Sequence, residues 1–563
     1  MKARTLLAFL GFAASSVARP SSFDPPQALF SAYRGINATQ PGLEWDVPAD
    51  PDGTANLIFN SVSAVMQKWP NTQFRNGHSI VTATIPAGTI LYHGRTDEAV
   101  PTQPDWLAFD FEHAYIFCRS YCFVLSMVST RELRLAYFDG ASAGKTLTGT
   151  MDSQDLLIWG RVEPEKWMAD GERIRALCEW GKQFGLDGFV RMEFHFEVML
   201  CDFSDGMDVV SLLNLVPIHQ PWPRRRPGED PHDSGLHGLK PPRGPMPPPP
   251  GEGPDPRRPP HFPEKPPPPP EGWRGSLPDS DAQMFEALHA GAWHDRAPGE
   301  TRVHIDYSGF VTFYDDTLSS LVAARRGKTH LQHRLEDISE HDLGRVIDEL
   351  EEVLARNTSV AGSRVDWGSI TRVIIEHHGT RLEIMKHLLE TDEFHNATKQ
   401  AGMVRAQLLI ALAPYIGVDA VPAPGTSPTA NTSWAAPIMH YCSKTQTSLI
   451  RDELLTKQER RIRDAVDGTL HEICRVLTKM WVGAFAIEEA GENEVQNALQ
   501  DWRELLGGLM AWLDWSDWTR CNPGCGPDSI CYIPTWPFYL DKDPNNMTPR
   551  CIRRYAPYPT GRE

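Results

Sequence analysis

Phe189-Val-Arg191-Met-Glu193-Phe-His195-Phe-Glu197-Val-Met-Leu-Cys201-Asp-Phe203 alternates between two kinds of residue. Met192, Phe194, Phe196, Val198 and Leu200 fall on one side; Arg191, Glu193, His195, Glu197, Met199 and Cys201 fall on the other. Alternation at period two predicts a strand with one apolar face and one face that opens with four ionisable groups. The plain account of those groups is the wet side of a half-exposed edge strand. The chemical account is that carboxylates two positions either side of a histidine share its face and perturb one another's pKa.

Around this strand, residues 25–216 read as an α+β lobe. Ser79 to His93 carries apolar and β-branched runs about the turn Pro86-Ala87-Gly88, as a strand pair or a bent strand does. Phe123 to Phe138 and Gln154 to Gly160 are further strand candidates. Glu172 to Phe184 puts Ile174, Leu177 and Cys178 on one helical face, with Gly185 at the stop.

The boundary of that lobe is written in proline. Between Pro217 and Pro270 fall 22 of the chain's 48 prolines, including the runs 247–250 and 266–270. Such a segment lacks the amide protons for ladders or helices, so residues 217–277 are expected to be a disordered, proline-rich spacer. Stretched as polyproline II it would reach about 170 Å at roughly 3.1 Å per residue. Residues 280–515 are mainly helical after a short strand pair at Val303 to Tyr314. Ser339 with Asp342, and Thr456 with Glu459, open helices of 3.6-residue period; Trp367 to Leu389 and Gln400 to Tyr415 supply two more. Residues 516–563, rich in Trp, Pro and Cys, are too few for a core and are expected to be a disulfide-held tail.

The chain has 563 residues, 55 Lys+Arg against 73 Asp+Glu, and a net charge of −18. That balance argues against a nucleic-acid partner, which needs a basic face. Met1 to Ala18 has Lys2 and Arg4, an apolar run from Leu6 to Ala14 and the ending Ser16-Val17-Ala18, the pattern of a secretory signal. No later segment is a continuous apolar span, so no membrane span is expected. The acceptors at Asn37, Asn357, Asn396, Asn431 and Asn546 fit N-glycosylation of an extracellular protein. Ten cysteines sort into Cys118, Cys122, Cys178, Cys201; Cys442, Cys474; and Cys521, Cys525, Cys531, Cys551. In an oxidising compartment each set is expected to pair within itself. The last four lack the paired arms of a zinc ribbon, so no metal site is assigned.

Two motif-like stretches carry little. Gly140 to Thr146 has one residue too few between its glycines for a Walker A loop. In Glu376-His377-His378, adjacent histidines point about 100° apart around a helix axis and cannot share a metal, so a solvated face is expected.

Two stretches remain. The first runs Tyr92-His93-Gly94-Arg95, then Trp106-Leu-Ala108-Phe109-Asp110-Phe-Glu112-His113-Ala114-Tyr115; the second is the face bearing Glu193 and Glu197. Together they resemble the ADP-ribosyltransferase fold in its His-Tyr-Glu class: a strand ending in Tyr-His-Gly, a second strand whose aromatic leads into a helix, and a later strand bearing a Glu. The resemblance implies that His93 holds the ribose of NAD, that Phe109 or Tyr115 stacks near the nicotinamide, and that Glu193 or Glu197 stabilises the oxocarbenium-like centre. Here Ala108-Phe109-Asp110 stands where the family has a Tyr or Ser motif, and two glutamates compete for one role.

The chain as a whole resembles a group of secreted proteins of filamentous fungi with no assigned function. That likeness rests on Tyr137-Phe-Asp139-Gly140-Ala-Ser-Ala, Met151-Asp-Ser-Gln154-Asp, Leu186-Asp-Gly-Phe-Val-Arg191-Met-Glu193, Val365-Asp-Trp367-Gly and Glu472-Ile-Cys474. The residues by themselves favour an extracellular binding or structural protein with no cofactor. The alternative is an enzyme acting on NAD through His93, Glu193 and Glu197.

Overall fold

In the computed structural model, residues 45–555 are described, apart from 118–121, 217, 219–279, 291–298, 357–361, 419, 423–424, 488–489, 534–535 and 537–546. The expected signal segment, Cys118, three of the acceptor asparagines (Asn37, Asn357, Asn546) and all but one residue of the proline-rich stretch lie outside the described residues.

The N-terminal lobe is built on a sheet of nine strands: β1 Ser79–Ile85, β2 Ile90–Arg95, β3 Asp105–Ala108, β4 Phe123–Ser129, β5 Leu133–Phe138, β6 Gly188–Met192, β7 Phe196–Leu200, β8 Met207–Asn214 and β9 His304–Thr312. Their order across the sheet is β8-β4-β2-β3-β7-β6-β5-β1-β9. Every pairing is antiparallel except β5 with β6. A parallel pair needs a crossover, and the helices Asp152–Trp159 and Asp170–Gly181 supply it.

Helices cover both faces of the strands that matter. On one face Val81, Leu135, Tyr137, Val190 and Val198 share a core with Phe59 of the helix Ala55–Ala64, Ile374 of Trp367–Glu390 and Val466 of Lys457–Ala486. On the other, Ile80, Phe138, Phe189 and Met199 pack on Ile174 and Leu177, and on Val346 and Leu350 of the helix Glu340–Ala355. Double cover is why β6 and β7 are buried along their whole length, unlike a strand with one wet face.

Several expectations need correction. Phe189 to Phe203 is not one strand: it folds back at Glu193-Phe194-His195 into the β6–β7 hairpin, with Met192 opposite Phe196 and Arg191 opposite Glu197. Nor is its ionisable side wet, since Arg191, Glu193, His195 and Glu197 are all buried. Ser79 to His93 does make two strands, but β1 and β2 are not neighbours in the sheet. Gln154 to Gly160 is helical, stopped by Gly160 in the left-handed region at φ 71°. Val303 to Tyr314 forms a single strand, β9, which pairs with β1 and so extends the N-terminal sheet. Of Glu376-His377-His378 only Glu376 is exposed; His377 is half-buried and His378 turns into the core at 2% exposure.

The local helix signals appear as read. Ser339 Oγ accepts from the Asp342 amide, and Thr456 with Glu459 closes a capping box ahead of the helix Lys457–Ala486. Disulfides join Cys178 to Cys201, Cys442 to Cys474, Cys521 to Cys531 and Cys525 to Cys551, each within its expected set. The last two brace a small hairpin, β10 Ser529–Tyr532 with β11 Arg550–Arg553. Among the described residues no helix is long and apolar enough to cross a membrane.

Candidate functional site

The β6–β7 turn has none of the Gly, Pro or Asn that usually makes one, so its shape is imposed by what surrounds it. Within the turn the Glu193 amide donates to the His195 carbonyl at 3.0 Å. Outside it, each of the three side chains is taken up by a different part of the chain.

Glu193 Oε1 receives the Lys145 ammonium at 3.3 Å and the Trp536 indole N–H at 2.5 Å, while its Oε2 lies 4.0 Å from His113 Nε2. His195 Nε2 is 3.1 Å from Asp110 Oδ2, and Arg302 holds that same carboxylate from the far side at 3.2 Å. Phe194 packs with Phe285, Leu288, Tyr532 and Ile552.

Behind the turn stands a second layer. Arg191, fully enclosed, donates to Glu197 Oε1 (Nη2, 2.6 Å), to Asp170 Oδ1 (Nη1, 2.9 Å) and to Gln154 Oε1 (Nη1, 3.3 Å). Against the large cost of its own burial, Arg191 and Lys145 hold the Asp170 carboxyl well below the usual carboxylate range. Burial works against the Lys145 cation too, and Glu193, Asp170 and Glu197 outweigh it to raise the ammonium above its ordinary value. Burial pushes His113 down to about 4, so the imidazole beside Glu193 is neutral near pH 7.

The structure separates the two candidate glutamates. Glu197 is committed to Arg191 inside the sheet. Glu193, also buried, lies in the turn itself, where Lys145 and Trp536 donate to Oε1 and Oε2 faces His113. His93 is not in contact with either. Its Nε2 lies 3.4 Å from Asp105 Oδ2 and its ring meets the edge of Trp106 at 4.7 Å between centroids. Trp106 stacks on His113 at 5.6 Å, so His93 reaches Glu193 only through two intervening rings.

Phe109 is fully buried under the Arg302 guanidinium, which lies 5.2 Å from its ring and donates to its carbonyl. Tyr115 stacks on Phe111 at 5.1 Å, and its hydroxyl donates to the Val216 carbonyl. Neither aromatic touches Glu193. The glycine after His93 does serve a close approach, but to backbone: a Cβ at Gly94 would lie 2.1 Å from the Ala114 carbonyl oxygen.

Residues 48–123 and 118–221 match the family model described as the YPL277C N-terminal domain. The chain is similar to fungal proteins. It is 25% identical to the uncharacterized protein YOR389W of Saccharomyces cerevisiae, over 88% of this chain and 84% of that protein. It is 30% identical to the uncharacterized protein YPL277C of the same yeast, over 48% of this chain and 65% of that protein. No solved structure matches.

Lys145, Asp170, His113, Asp110 and Trp536 went unassigned in the sequence. The signal for Lys145 was present in Gly140 to Thr146, and the loop does deliver a cation, to a carboxylate. It docks on the hairpin through the Ala143 amide, which donates to the Met192 carbonyl at 2.8 Å. Trp536 carried no signal, since 343 residues separate it from Glu193.

Proposed function

We propose that the chain is an exported, N-glycosylated enzyme whose N-terminal lobe acts on NAD through Glu193. The observation that carries this reading is the concentration of buried ionisable groups at one hairpin turn. Burying Arg191, Glu193 and Glu197, with Lys145 and Asp170 half-buried against them, costs more than an apolar filling of the same space, and stability alone gives no reason to keep them. A further support is adjacency. The strands bearing His93, Ala108 and Glu197 are β2, β3 and β7, consecutive in the sheet.

In the proposed reaction the N-glycosidic bond of NAD breaks and its electron pair leaves on neutral nicotinamide. The Glu193 carboxylate stabilises the positive charge that develops at the ribose carbon. Water or an acceptor hydroxyl then bonds to that carbon and releases its proton to solvent. Lys145 and His113 fix the carboxylate's position.

Nicotinamide release from NAD by the purified full chain, compared with Glu193→Gln and Glu197→Gln, tests this. The expected result is release by the wild type that Glu193→Gln abolishes, with Glu197→Gln losing stability instead. Equal background release from all three removes the enzyme reading. The extracellular binding or structural role would then stand, with Glu193, already bonded to Lys145 and Trp536, serving only to shape the turn.

A further inference from the structure

The helical lobe carries a groove that the chemistry at Glu193 does not use. It is lined by the C-terminal turns of the helix Lys457–Ala486 and by the helix Glu492–Leu513, and its volume is about 940 Å³. Ligand sites commonly span about 300–1,000 Å³, with an apolar lining and a few placed polar groups. Small residues make the space: Gly483 and Ala486 on the first helix, Ala498 on the second and Ala490 between them. Val482, Ile487, Trp502 and Leu505 supply an apolar floor. Trp45 forms a wall; it packs on Val482 and donates from Nε1 to the Thr432 carbonyl at 3.1 Å.

The charge around this floor is one-sided. Lys479, which also lines the groove, is already spent: its Nζ lies 2.7 Å from Asp46 Oδ2, and Arg475 holds Oδ1 of the same carboxylate at 2.7 Å. Glu494, Asp501 and Glu504 stand exposed along the second helix with no ion pair among the described residues. Glu494 accepts from the Gly491 amide at 3.0 Å and Glu504 from Gln500 Nε2 at 2.9 Å, neutral donors that leave both charges uncompensated.

The floor also holds an unspent donor. Trp502 is only 3% exposed, and its indole N–H lies against Gly483, where a Cβ would come within 3.2 Å of Nε1. That N–H meets no acceptor among the described residues. An indole N–H can only donate, so the group that completes it is an oxygen brought into the groove over Gly483.

We propose that this groove binds a lipophilic amino alcohol: an alkyl chain on the apolar floor, an ammonium head at the carboxylate rim and a hydroxyl oxygen accepting from Trp502 Nε1. The groove shares no residue with the Glu193 site, so the proposal stands or falls without the NAD reading.

Calorimetric titration of the full chain at neutral pH with N-dodecylethanolamine, dodecylamine and dodecanoate, each below its micellar concentration, tests it. The amino alcohol should bind one per chain, about threefold tighter than dodecylamine, as one added hydrogen bond implies. It should bind at least about tenfold tighter than dodecanoate, whose head meets like charge. Asp501→Asn/Glu504→Gln should weaken it by about fivefold, since each exposed charge is worth little alone. Ala486→Trp, at an exposed position in the lining, should fill the space and abolish binding with the melting temperature unchanged. If that variant melts lower, the double charge variant decides, and undiminished affinity there overturns the site. No binding, dodecanoate as tight as the amino alcohol, or full affinity in a folded Ala486→Trp also overturns it. Dodecylamine as tight as the amino alcohol overturns the part given to Trp502.

Discussion

Arg191 and Glu197 face each other across the β6–β7 hairpin, guanidinium Nη2 2.6 Å from carboxylate Oε1, and neither is open to water. Each lies two residues from the turn, so the pair fixes register at the point where Glu193 is presented. A buried ion pair is costly to assemble and costlier to halve. Arg191→Met, which strands Glu197, is therefore expected to lower unfolding free energy by about 3–5 kcal/mol in urea. Adding Glu197→Met should recover a good part of that loss. A single variant within 1 kcal/mol of wild type, on the order of an exposed pair, would contradict the burial argument.

Gly94 gives the second expectation. A methyl group there meets the Ala114 carbonyl, which belongs to the short helix Phe111–Tyr115 beside β2. Backbone cannot give way as a side-chain tip can, so Gly94→Ala should push that helix outward at about 1–3 kcal/mol, the usual cost of overpacking. Because the helix carries His113, the shift should also reach Glu193. A thermal melt and nicotinamide release measured together check this, and an unchanged melting temperature counts against it.

What the sequence made legible was local. Ser339 and Thr456 announced their helices because a cap is settled within four residues, and the cysteine sets were legible because a staple joins neighbours. The sheet was not legible: β1 and β2 are consecutive in the chain but lie five places apart in its order. The hairpin was misread because Glu193-Phe194-His195 continues the alternation and contains no turn-former, its bend being held by Lys145, Asp110 and Trp536 from elsewhere. The run Leu156-Leu157-Ile158 looked like strand because its helical partners, among them Ile174 and Leu177, lie across a loop. Glu193 and Glu197 were named, but choosing between them required seeing Arg191.

The bridge between Cys442 and Cys474 ties the helix Ala436–Lys444 to the helix Lys457–Ala486 in the core of the helical lobe. It closes a loop of 32 residues. Loop entropy of that size is worth about 3–4 kcal/mol in the unfolded chain. The Cys442→Ala/Cys474→Ala variant is expected to melt several degrees lower, with nicotinamide release intact because the bridge joins two helices and no strand of the sheet. Loss of that release in a folded variant would show instead that the bridge holds the sheet in place through the shared core.

The pH dependence of stability follows from the buried histidines and one buried aspartate. Burial pushes His113 down to about 4. It pushes His333 down to about 3, helped by His330 and Arg325, and His378 to about 3, helped by His377 and Arg381. In the unfolded chain each takes a proton near pH 6.5, whereas the folded chain refuses it until pH 3–4. The unfolded state thus binds more protons across that interval. The histidine contribution is whole above pH 6.5 and is lost as pH falls, by at most about 1.4 kcal/mol per unit for each group. Asp139 works the other way. Burial raises it to about 7 against the Ser79 amide, so the folded chain keeps a proton that the unfolded chain sheds near 3.8. Its contribution is present below pH 3.8 and fades as pH rises through 7. Burial also holds His78 well below 6.5; the histidines outweigh the one aspartate, so the urea midpoint should be level above pH 7.5 and fall between pH 6.5 and 4.5. Asp139→Asn keeps an acceptor for Ser79 and removes the opposing proton, so it should raise the midpoint at pH 8 and steepen the acid fall. A wild-type midpoint that is the same at pH 5 and pH 8 would mean that these histidines meet water in the folded protein.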